Sequence, residues 1–381
     1  MSAKSSKRKN AYERDSLQGG NHTRRRNRRQ QKIARTSWVV KLTKFLTIVL
    51  LLVILGVIGY GVKMLTDANQ FLNNSYQPRK NSQVNDKIDV QKDPISILVL
   101  GLDDDDKRNL GSARTDSMLL LSVNPQTEDI NITSIPRDTY TQINSKDYNG
   151  KDKINAAFAY GGIDSTIDAV ENLVDVPINY YVTVDFQAFE KIVDELGGVD
   201  IDVPFTLTEQ NAQGKKVVNL KKGHHTLSGE EALAFARTRY IDNDVERGKR
   251  QQQVFEAIAK KAMSMGSIAK YKGLLEALDG HFQTDMPSDR ILSVAQSGLT
   301  KDYKFHSYVF SWMGFDYAPY GETMSMVGLH QDSLEYISHK FKVSLGLEGK
   351  DERDEHGYKF ESNGIVAPET YPQDGMAIDQ P

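Results

Sequence analysis

At residues 95–106 the chain reads ISILVLGLDDDD. The first six residues form an apolar run bounded by Pro94 and Gly101, which predicts a short buried strand. Two further apolar runs, Met118–Val123 and Ile130–Ile135, predict the next strands. The four acids therefore follow directly after the first strand, which is where open α/β sheets commonly place their ligands.

Helical and strand patterns alternate downstream of these runs. Asn155–Val174 carries an apolar stripe with helical spacing, and Phe186–Leu196 is a helix pattern that ends at a glycine pair. The runs Asn179–Val184 and Val199–Val203 predict strands on either side of the second helix. This alternation predicts an α/β fold with a largely buried sheet. Further helices are predicted at Ser228–Arg237, which begins with a capping box, and at Arg247–Met265, Tyr271–His281 and Pro287–Leu299.

Residues 45–62 form an uncharged apolar segment of 18 residues. At about 1.5 Å per residue, a helix of this length approaches the thickness of a hydrocarbon core. A buried core helix is disfavoured because the preceding residues lack the composition of a folded domain. A cleaved signal peptide is disfavoured because no convincing small-residue cleavage site follows. We therefore predict a transmembrane signal-anchor at residues 38–62.

Charge is distributed unevenly about this segment. Residues 1–44 contain 14 Lys or Arg and two acids, a net charge of +12. Because the whole chain carries −3, the remainder carries −15. Positive residues beside an anchor favour the cytoplasmic side of the membrane, so residues 1–37 are predicted to be a disordered cytoplasmic tail that sets the topology. The alternative function, a nucleic-acid-binding arm, is less consistent with the adjacent anchor.

Composition also divides the remaining chain. Residues 63–93 are polar and predict an extracellular spacer, and residues 94–347 predict the main folded domain. Residues 348–381 lose periodicity and gain charge, Gly and Pro, so they predict a disordered tail. The chain has no cysteine. This excludes a disulfide framework, a thiolate zinc site and a cysteine nucleophile.

Carboxylates gather at the end of the first predicted strand and the start of the second. Asp103–Asp106 follow the first strand, and Asp116 precedes the second. Neighbouring carboxylates without sulfur or clustered histidine suit a hard cation such as Mg²⁺. An acidic run taken alone is more often a solvated loop than a metal site. The adjacent His224 and His225 are predicted to lie in a loop and not to form a ligand pair.

Arginines follow the predicted strands and recur on a later helix. Guanidinium groups bind phosphate oxygens in a bidentate manner and remain charged at any working pH. For each arginine taken alone, the alternative is a surface ion pair. Because no catalytic triad is evident, a metal combined with an anion clamp indicates phosphoryl transfer. The candidates are Arg114, Arg137, Arg237, Arg239, Arg247 and Arg250.

Seven motifs, in order, resemble the LytR-CpsA-Psr family of Gram-positive bacteria. They are ILVLGLD, ARTDSMLLLSVNP, ITSIPRDTY, KINAAFAYGG, YYVTVDFQAFEKIVDELGGVDIDV, LSGEEALAFARTRY and ERGKRQQQV. The resemblance spans roughly residues 95–255, and the region to about residue 347 is similar to the family's C-terminal part. It implies a three-layer α/β/α sandwich with a mostly buried central sheet, preceded by one transmembrane helix.

The resemblance also implies an activity and a location. The implied enzyme is a single-pass type II protein of the cell membrane, with its catalytic domain facing the cell wall. It transfers a glycopolymer, such as a teichoic acid, a capsular polysaccharide or a rhamnose polymer, from undecaprenyl pyrophosphate to peptidoglycan. The product is a phosphodiester.

The family's site residues map onto matching positions of this sequence. Asp103 and Asp116 are implied ligands of Mg²⁺, with Asp104 the alternative to Asp103 because the acidic run makes the alignment ambiguous. Arg114, Arg137, Arg237 and Arg239 are implied to be catalytic. The implied pyrophosphate clamp consists of Arg114, Arg137, Arg237, Arg239, Arg247, Arg250 and Gln251.

Other functions remain open at this point. A non-catalytic regulator that binds lipid pyrophosphate would need no metal ligands, and a lipid pyrophosphatase would use the same site without a sugar acceptor. An extracellular nuclease is disfavoured because the net charge of the outer part is negative. The base that activates the acceptor hydroxyl is not identified, although a carboxylate within Asp103–Asp106 is one candidate.

Overall fold

The computed structural model describes residues 49–51, 66, 70–80, 88–102, 115–211, 217–238, 244–264, 278, 280–318 and 323–365. The chain divides into two compact units, residues 1–67 and 68–381. In the first unit, residues 49–51 are helical, and the rest of the predicted anchor at 38–62 and the whole basic tail lie outside the described residues. Among the residues that are described, no helix combines the length and apolar character needed to cross a membrane.

The second unit contains strands and helices in alternation. Its strands are β1 (Ile95–Leu102), β2 (Thr115–Asn124), β3 (Asp129–Ser134), β4 (Tyr140–Asn144), β5 (Asn149–Lys153), β6 (Tyr180–Asp185), β7 (Val199–Val203), β8 (Leu207–Gln210), β9 (Val217–Leu220), β10 (Gly223–Leu227), β11 (Phe282–Thr284), β12 (Lys304–Tyr308), β13 (Trp312–Tyr317) and β14 (Met324–Leu329). Its helices are α1 (Ala156–Val174), α2 (Phe186–Glu195), α3 (Gly229–Arg237), α4 (Asp244–Met263), α5 (Ser288–Thr300) and α6 (Gln331–Ser344).

Six strands form a central mixed sheet in the order β11-β6-β1-β2-β3-β12. β1 runs parallel to β6, and β3 runs parallel to β12, whereas the other neighbours are antiparallel. Two-stranded sheets pair β4 with β5, β7 with β10, β8 with β9 and β13 with β14. The parallel and antiparallel pairs bring the ends of β1, β6 and β3 and the start of β2 to one edge of the sheet.

Both faces of this sheet are buried because apolar side chains alternate along its strands. On one face Leu98 and Leu120 pack in a core with residues of α1 and α6. On the other face Leu119 and Ile132 pack with residues of α4, while Tyr180 packs with residues of α5. The predicted α/β fold, with a buried central sheet flanked by helices, is confirmed.

Two local predictions need correction. Val199–Val203 is a strand as predicted, but it pairs with β10 and not with the central sheet. His224 and His225 were predicted in a loop, yet they lie in β10, where they pair with Asp202 and Ile201. Alternation along a strand places their side chains on opposite faces, so they do not form a ligand pair. The polar sequence before them, with its two lysines, concealed this short strand.

The domain begins earlier than the predicted boundary at residue 94. Within the segment predicted as a spacer, Phe71 and Leu72 are buried, and Tyr76 bridges to Thr284 of β11. Arg79 forms a buried ion pair with Asp285, with 2.6 Å between Nε and Oδ2. A polar composition therefore concealed a segment that packs on the edge strand of the sheet.

The C-terminal segment 348–365 also departs from the predicted disorder, whereas 366–381 lies outside the described residues. The ring of His339 on α6 is 1% exposed and lies between carboxylates of this segment. Its Nδ1 is 2.8 Å from Glu348 Oε2, and its Nε2 is 2.8 Å from Asp354 Oδ2. Further along, Tyr336 stacks on Tyr358 at 5.4 Å. Charge pairing and ring stacking thus hold residues 348–365 against α6.

Acid is expected to release this C-terminal segment. Hydrogen bonds from Arg353 lower the pKa of Asp351 to about 2, and a hydrogen bond from His339 lowers the pKa of Glu348. Hydrogen bonds from Lys340 and His339 lower the pKa of Asp354, although partial burial opposes them. Lowered folded-state pKa values give stability that is present above the ordinary values of 3.8 and 4.5 and is lost as the pH falls toward about 2.

Hydrogen exchange measured by mass spectrometry, corrected for intrinsic rates, should show this loss of protection in residues 348–365 before it appears in β1. Asp354→Asn should shift the release to higher pH, because it removes the carboxylate between His339 and Lys340. Protection of the segment that is unchanged from pH 7 to pH 2 would contradict the prediction.

Candidate active site

The candidate site lies at the edge of the sheet where β1 and β6 end and β2 begins. Leu102, the last residue of β1, pairs with Asp185 of β6 on one side and with Thr115 of β2 on the other. Four predicted site residues lie outside the described residues: Asp103, its alternative Asp104, Arg114 and Arg239. In the sequence, Asp103 directly follows Leu102, and Arg114 directly precedes Thr115.

Asp116 occupies a β-bulge at this edge. Gly101 pairs with Ser117, but the next residue, Leu102, pairs with Thr115, so Asp116 has no partner across the strands. A bulge bends the strand and redirects a side chain, which is why bulges recur beside active sites. Gly101 permits the close approach, because a Cβ atom there would lie 3.0 Å from Ser117 Cβ. The Asp116 side chain remains 31% exposed and thus accessible to a ligand.

Arg137 reaches Asp116 from the loop that follows β3. Its Nη1 donates to Asp116 Oδ1 at 2.5 Å, and its Nε lies 3.6 Å from Asp138 Oδ2. Lys153 Nζ pairs with the other Asp138 oxygen at 2.9 Å. The structure therefore brings together two of the predicted residues, a carboxylate and a guanidinium, in a partly exposed ion pair. Its carboxylate oxygens are the donor type that Mg²⁺ prefers.

Arg237 lies close to the same edge, at the end of α3. Its guanidinium carbon is 4.5 Å from the ring centroid of Phe186, a cation–π contact. Phe186 is the first residue of α2 and directly follows Asp185, which ends β6 and accepts a hydrogen bond from Ala188 N as the helix N-cap. The sequence did not identify Phe186 as a site residue, because an aromatic residue at the start of a helix is usually part of the hydrophobic core.

The start of α4 packs against the end of β3. A Cβ atom on Gly248 would lie 3.1 Å from Ser134 Oγ, so glycine allows the helix to approach this closely. Ser134 Oγ also donates to Gln251 Oε1 at 3.4 Å. This contact places the predicted Gln251 at the end of β3, which lies three residues before Arg137 in the sequence. Arg247, on the same part of α4, is 5% exposed.

Arg250 has a different environment from the one predicted. It is 4% exposed, and it donates from Nε to Phe235 O at 3.0 Å and from Nη2 to Thr238 O at 2.6 Å. These carbonyls belong to the end of α3, where helices leave acceptors without backbone partners. Arg250 therefore holds the end of α3, where Arg237 lies, and its predicted place in the clamp stays a prediction.

Replacing Arg250 with alanine should destabilise the domain by about 3 kcal/mol, because charged hydrogen bonds to buried carbonyls are lost. Replacing Arg237, which is half-buried, should cost less than about 1 kcal/mol. Urea unfolding followed by circular dichroism measures both values. Equal stability of the Arg250→Ala variant and the original chain would rule out the structural role.

Four buried polar side chains around this edge each carry an oxygen atom without a hydrogen-bond partner in the part of the chain described here: Thr115 Oγ1, Thr238 Oγ1, Gln252 Oε1 and Asn155 Oδ1. Thr115 precedes Asp116, Thr238 follows Arg237, Gln252 follows Gln251, and the backbone N–H of Asn155 donates to Arg137 O. Each is at most 3% exposed. Buried polar atoms in folded proteins almost always have partners, so these atoms mark an edge that accepts polar groups from a ligand, water or the remaining residues.

Comparison with known proteins supports the resemblance found in the sequence. The family model for LytR-CpsA-Psr proteins matches residues 58–341. An uncharacterised protein of Staphylococcus aureus is 37% identical over 272 residues, which are 69% of this chain and 67% of the relative. The Bacillus subtilis protein TagV, a polyisoprenyl-teichoic acid–peptidoglycan teichoic acid transferase, is 35% identical over 268 residues, 69% of this chain and 68% of its own.

Solved structures show the same fold. The crystal structure of B. subtilis TagV has a TM-score of 0.58 with 32% identity, covering 68% of this chain and 99% of TagV. The structure of TagT bound to LIIa-WTA has a TM-score of 0.56 with 32% identity, covering 71% of this chain and 99% of TagT. The matched family model ends at residue 341, before the C-terminal segment that packs on α6. By sequence and by fold, this chain belongs to the LytR-CpsA-Psr family.

Proposed function

We propose that this chain is a membrane-anchored phosphotransferase of the cell wall. It moves a glycopolymer from undecaprenyl pyrophosphate to peptidoglycan and forms a phosphodiester. The curated relatives TagV and TagU carry names that describe transfer of teichoic acid from a polyisoprenyl carrier to peptidoglycan. The related protein TagT has been solved bound to LIIa-WTA.

One observation carries the proposal beyond family membership. Asp116 is placed by a bulge at the carboxyl edge of the sheet, and Arg137 contacts it at 2.5 Å. A partly exposed carboxylate beside a guanidinium provides an oxygen donor for a cation and a guanidinium for a phosphate oxygen. A protein that only bound the lipid would not need the carboxylate.

The reaction needs charge neutralisation. A pyrophosphate diester carries about two negative charges, which repel an incoming hydroxyl and hinder departure of the lipid phosphate. Arg137 and Arg237 donate to the phosphate oxygens, while Arg250 fixes the end of α3 so that Arg237 stays at the edge. Asp116, together with Asp103, would hold Mg²⁺, which supplies further neutralisation when bound.

The proposed location follows from the sequence. The apolar segment at 38–62 anchors the chain, the basic tail stays in the cytoplasm, and the domain faces the cell wall. Residues 70–80, which follow the anchor in the sequence, are held against the folded domain by the ion pair between Arg79 and Asp285. The substrate's lipid and the protein's anchor share the membrane, so the site meets its donor at the outer surface.

A reconstituted transfer assay tests the proposal. The full chain in lipid nanodiscs is incubated with a synthetic lipid-pyrophosphate-linked teichoic acid precursor and a peptidoglycan oligomer. Mass spectrometry then detects the phosphodiester adduct with and without Mg²⁺, and with Asp116→Asn. A Mg²⁺-dependent adduct that is lost in the variant supports the transferase. Lipid monophosphate without adduct indicates a pyrophosphatase, and lipid binding without either product indicates a non-catalytic regulator.

A further inference from the structure

A histidine and an aspartate form a hydrogen-bonded pair at the same edge of the sheet, outside the predicted set of site residues. His281 Nδ1 lies 2.5 Å from Asp185 Oδ2, and Asp185 N donates to His281 O at 3.4 Å. The side chain of His281 is 28% exposed, and that of Asp185 is 12% exposed. The carboxylate is thus mostly buried, while part of the imidazole reaches solvent.

The two oxygens of Asp185 have separate roles. Oδ1 accepts from Ala188 N and caps α2, while Oδ2 faces His281 Nδ1. A carboxylate facing Nδ1 favours the tautomer in which Nδ1 carries the proton. The lone pair then resides on Nε2, which has no hydrogen-bond partner within the described residues. This is the arrangement of an imidazole that is ready to accept a proton.

The register of the sheet places this pair at the same edge as the predicted metal and phosphate groups. Asp185 pairs directly with Leu102, after which Asp103 follows in the sequence. Two strand spacings, about 10 Å, separate the backbones of Asp185 and Thr115, and His281, which lies opposite Asp185 directly before β11, is one spacing further, about 14 Å from Thr115. Arg237 provides a second link, because it lies over the ring of Phe186, the residue after Asp185.

We propose that His281, oriented by Asp185, is the general base that activates the acceptor hydroxyl. This inference rests on the proposed transferase function. As the hydroxyl oxygen bonds to the phosphorus that carries the glycopolymer, its proton passes to His281 Nε2. The bond between that phosphorus and the bridging oxygen breaks, and the electron pair leaves with the lipid phosphate. The imidazolium then returns its proton to solvent.

A simpler, purely structural role for this pair is to stabilise the pairing of β11 with β6. Phe282, which follows His281, pairs with Val184 of β6. A matched pair in the same sheet separates the two roles. His306 Nε2 lies 2.8 Å from Asp129 Oδ1, and it joins β12 to the start of β3, at the end of β3 away from Ser134. A structural role predicts similar behaviour for both pairs, whereas a catalytic role predicts an effect for His281 alone.

The test uses the full chain in nanodiscs and the transfer assay described above. We expect His281→Gln to lower kcat about 100-fold at unchanged KM for the lipid donor, because general base catalysis contributes at least that factor. Asp185→Asn keeps an oxygen for the cap on α2 but presents the wrong partner to Nδ1, so kcat should fall similarly. His306→Gln should retain the original kcat.

The pH profile and added imidazole provide readouts that a structural role alone does not change. The acidic limb of the kcat profile should disappear in His281→Gln, and imidazole in the buffer should restore part of the activity of His281→Ala. The inference would be overturned if both His281→Gln and Asp185→Asn showed the turnover and the pH profile of the original chain. The proposed transferase function would then still stand. Absence of adduct from the original chain would instead reject the transferase, and the inference with it.

Discussion

Replacing Arg137 with alanine is expected to lower the transfer rate about 100-fold, while the folded domain remains stable. The side chain of Arg137 is 22% exposed and donates to Asp116 at the edge of the sheet. Loss of one donor that stabilises a developing oxyanion typically costs a factor of about 100–1,000 in kcat. The alanine variant also leaves Asp116 without its guanidinium, which raises the negative charge that an incoming pyrophosphate meets.

The lysine variant of the same residue tests the geometry. Arg137→Lys keeps the charge but cannot form two parallel bonds to a phosphate. It should therefore recover lipid binding more fully than it recovers kcat. Steady-state transfer kinetics with a fixed acceptor measure kcat and KM for each variant. A kcat of Arg137→Ala within about twofold of the original chain would remove Arg137 from the clamp.

The central sheet was predictable because its strands carry continuous or alternating apolar runs. β1, β2 and β3 appear at the predicted positions, and helix α3 begins with the predicted capping box, in which Ser228 N donates to Glu231 Oε2 at 2.9 Å. The grouping of Asp116 and Arg137 was also predictable, since both lie at ends of neighbouring strands. The sequence did not predict the bulge at Asp116, because a bulge depends on the register between two strands.

Other features escaped the sequence because they depend on long-range contacts. Arg250 was predicted to bind phosphate, and the sequence did not predict that it also donates to two carbonyls at the end of α3. Arg79 looked like a solvated residue in a polar spacer, yet its partner is 206 positions away. His339 carried no motif, and its carboxylate partners lie in a segment whose composition predicted disorder. Pairing of charges across such distances is not visible in local composition.

Replacing Arg79 with alanine is expected to destabilise the domain by about 3–5 kcal/mol, because it leaves a buried carboxylate without its cation. Asp285 is 1% exposed, and besides Arg79 it accepts from Tyr181 N at 2.8 Å. The lost guanidinium also donates to Ile178 O and Asn179 O at 3.2 and 3.0 Å. Urea unfolding of the full chain in detergent measures the loss. The exposed pair Lys92–Asp89 is the control, since Lys92→Ala should cost less than about 1 kcal/mol.

The pH dependence of the stability lost in Arg79→Ala shows whether the unpaired charge of Asp285 causes that loss. Burial raises the pKa of Asp285 above its ordinary value of 3.8, and Arg79 opposes that rise. A raised folded-state pKa means that the folded state holds the proton more tightly, so stability is highest below 3.8 and falls as the pH rises through the raised pKa. Without Arg79 the pKa of Asp285 rises further. The loss in free energy of unfolding caused by Arg79→Ala should therefore be small at low pH and reach its full value near neutral pH. The double variant with Asp285→Asn should recover part of the stability and lose this pH dependence. A cost that stays constant with pH would assign the effect to the two carbonyl bonds and not to the charge of Asp285.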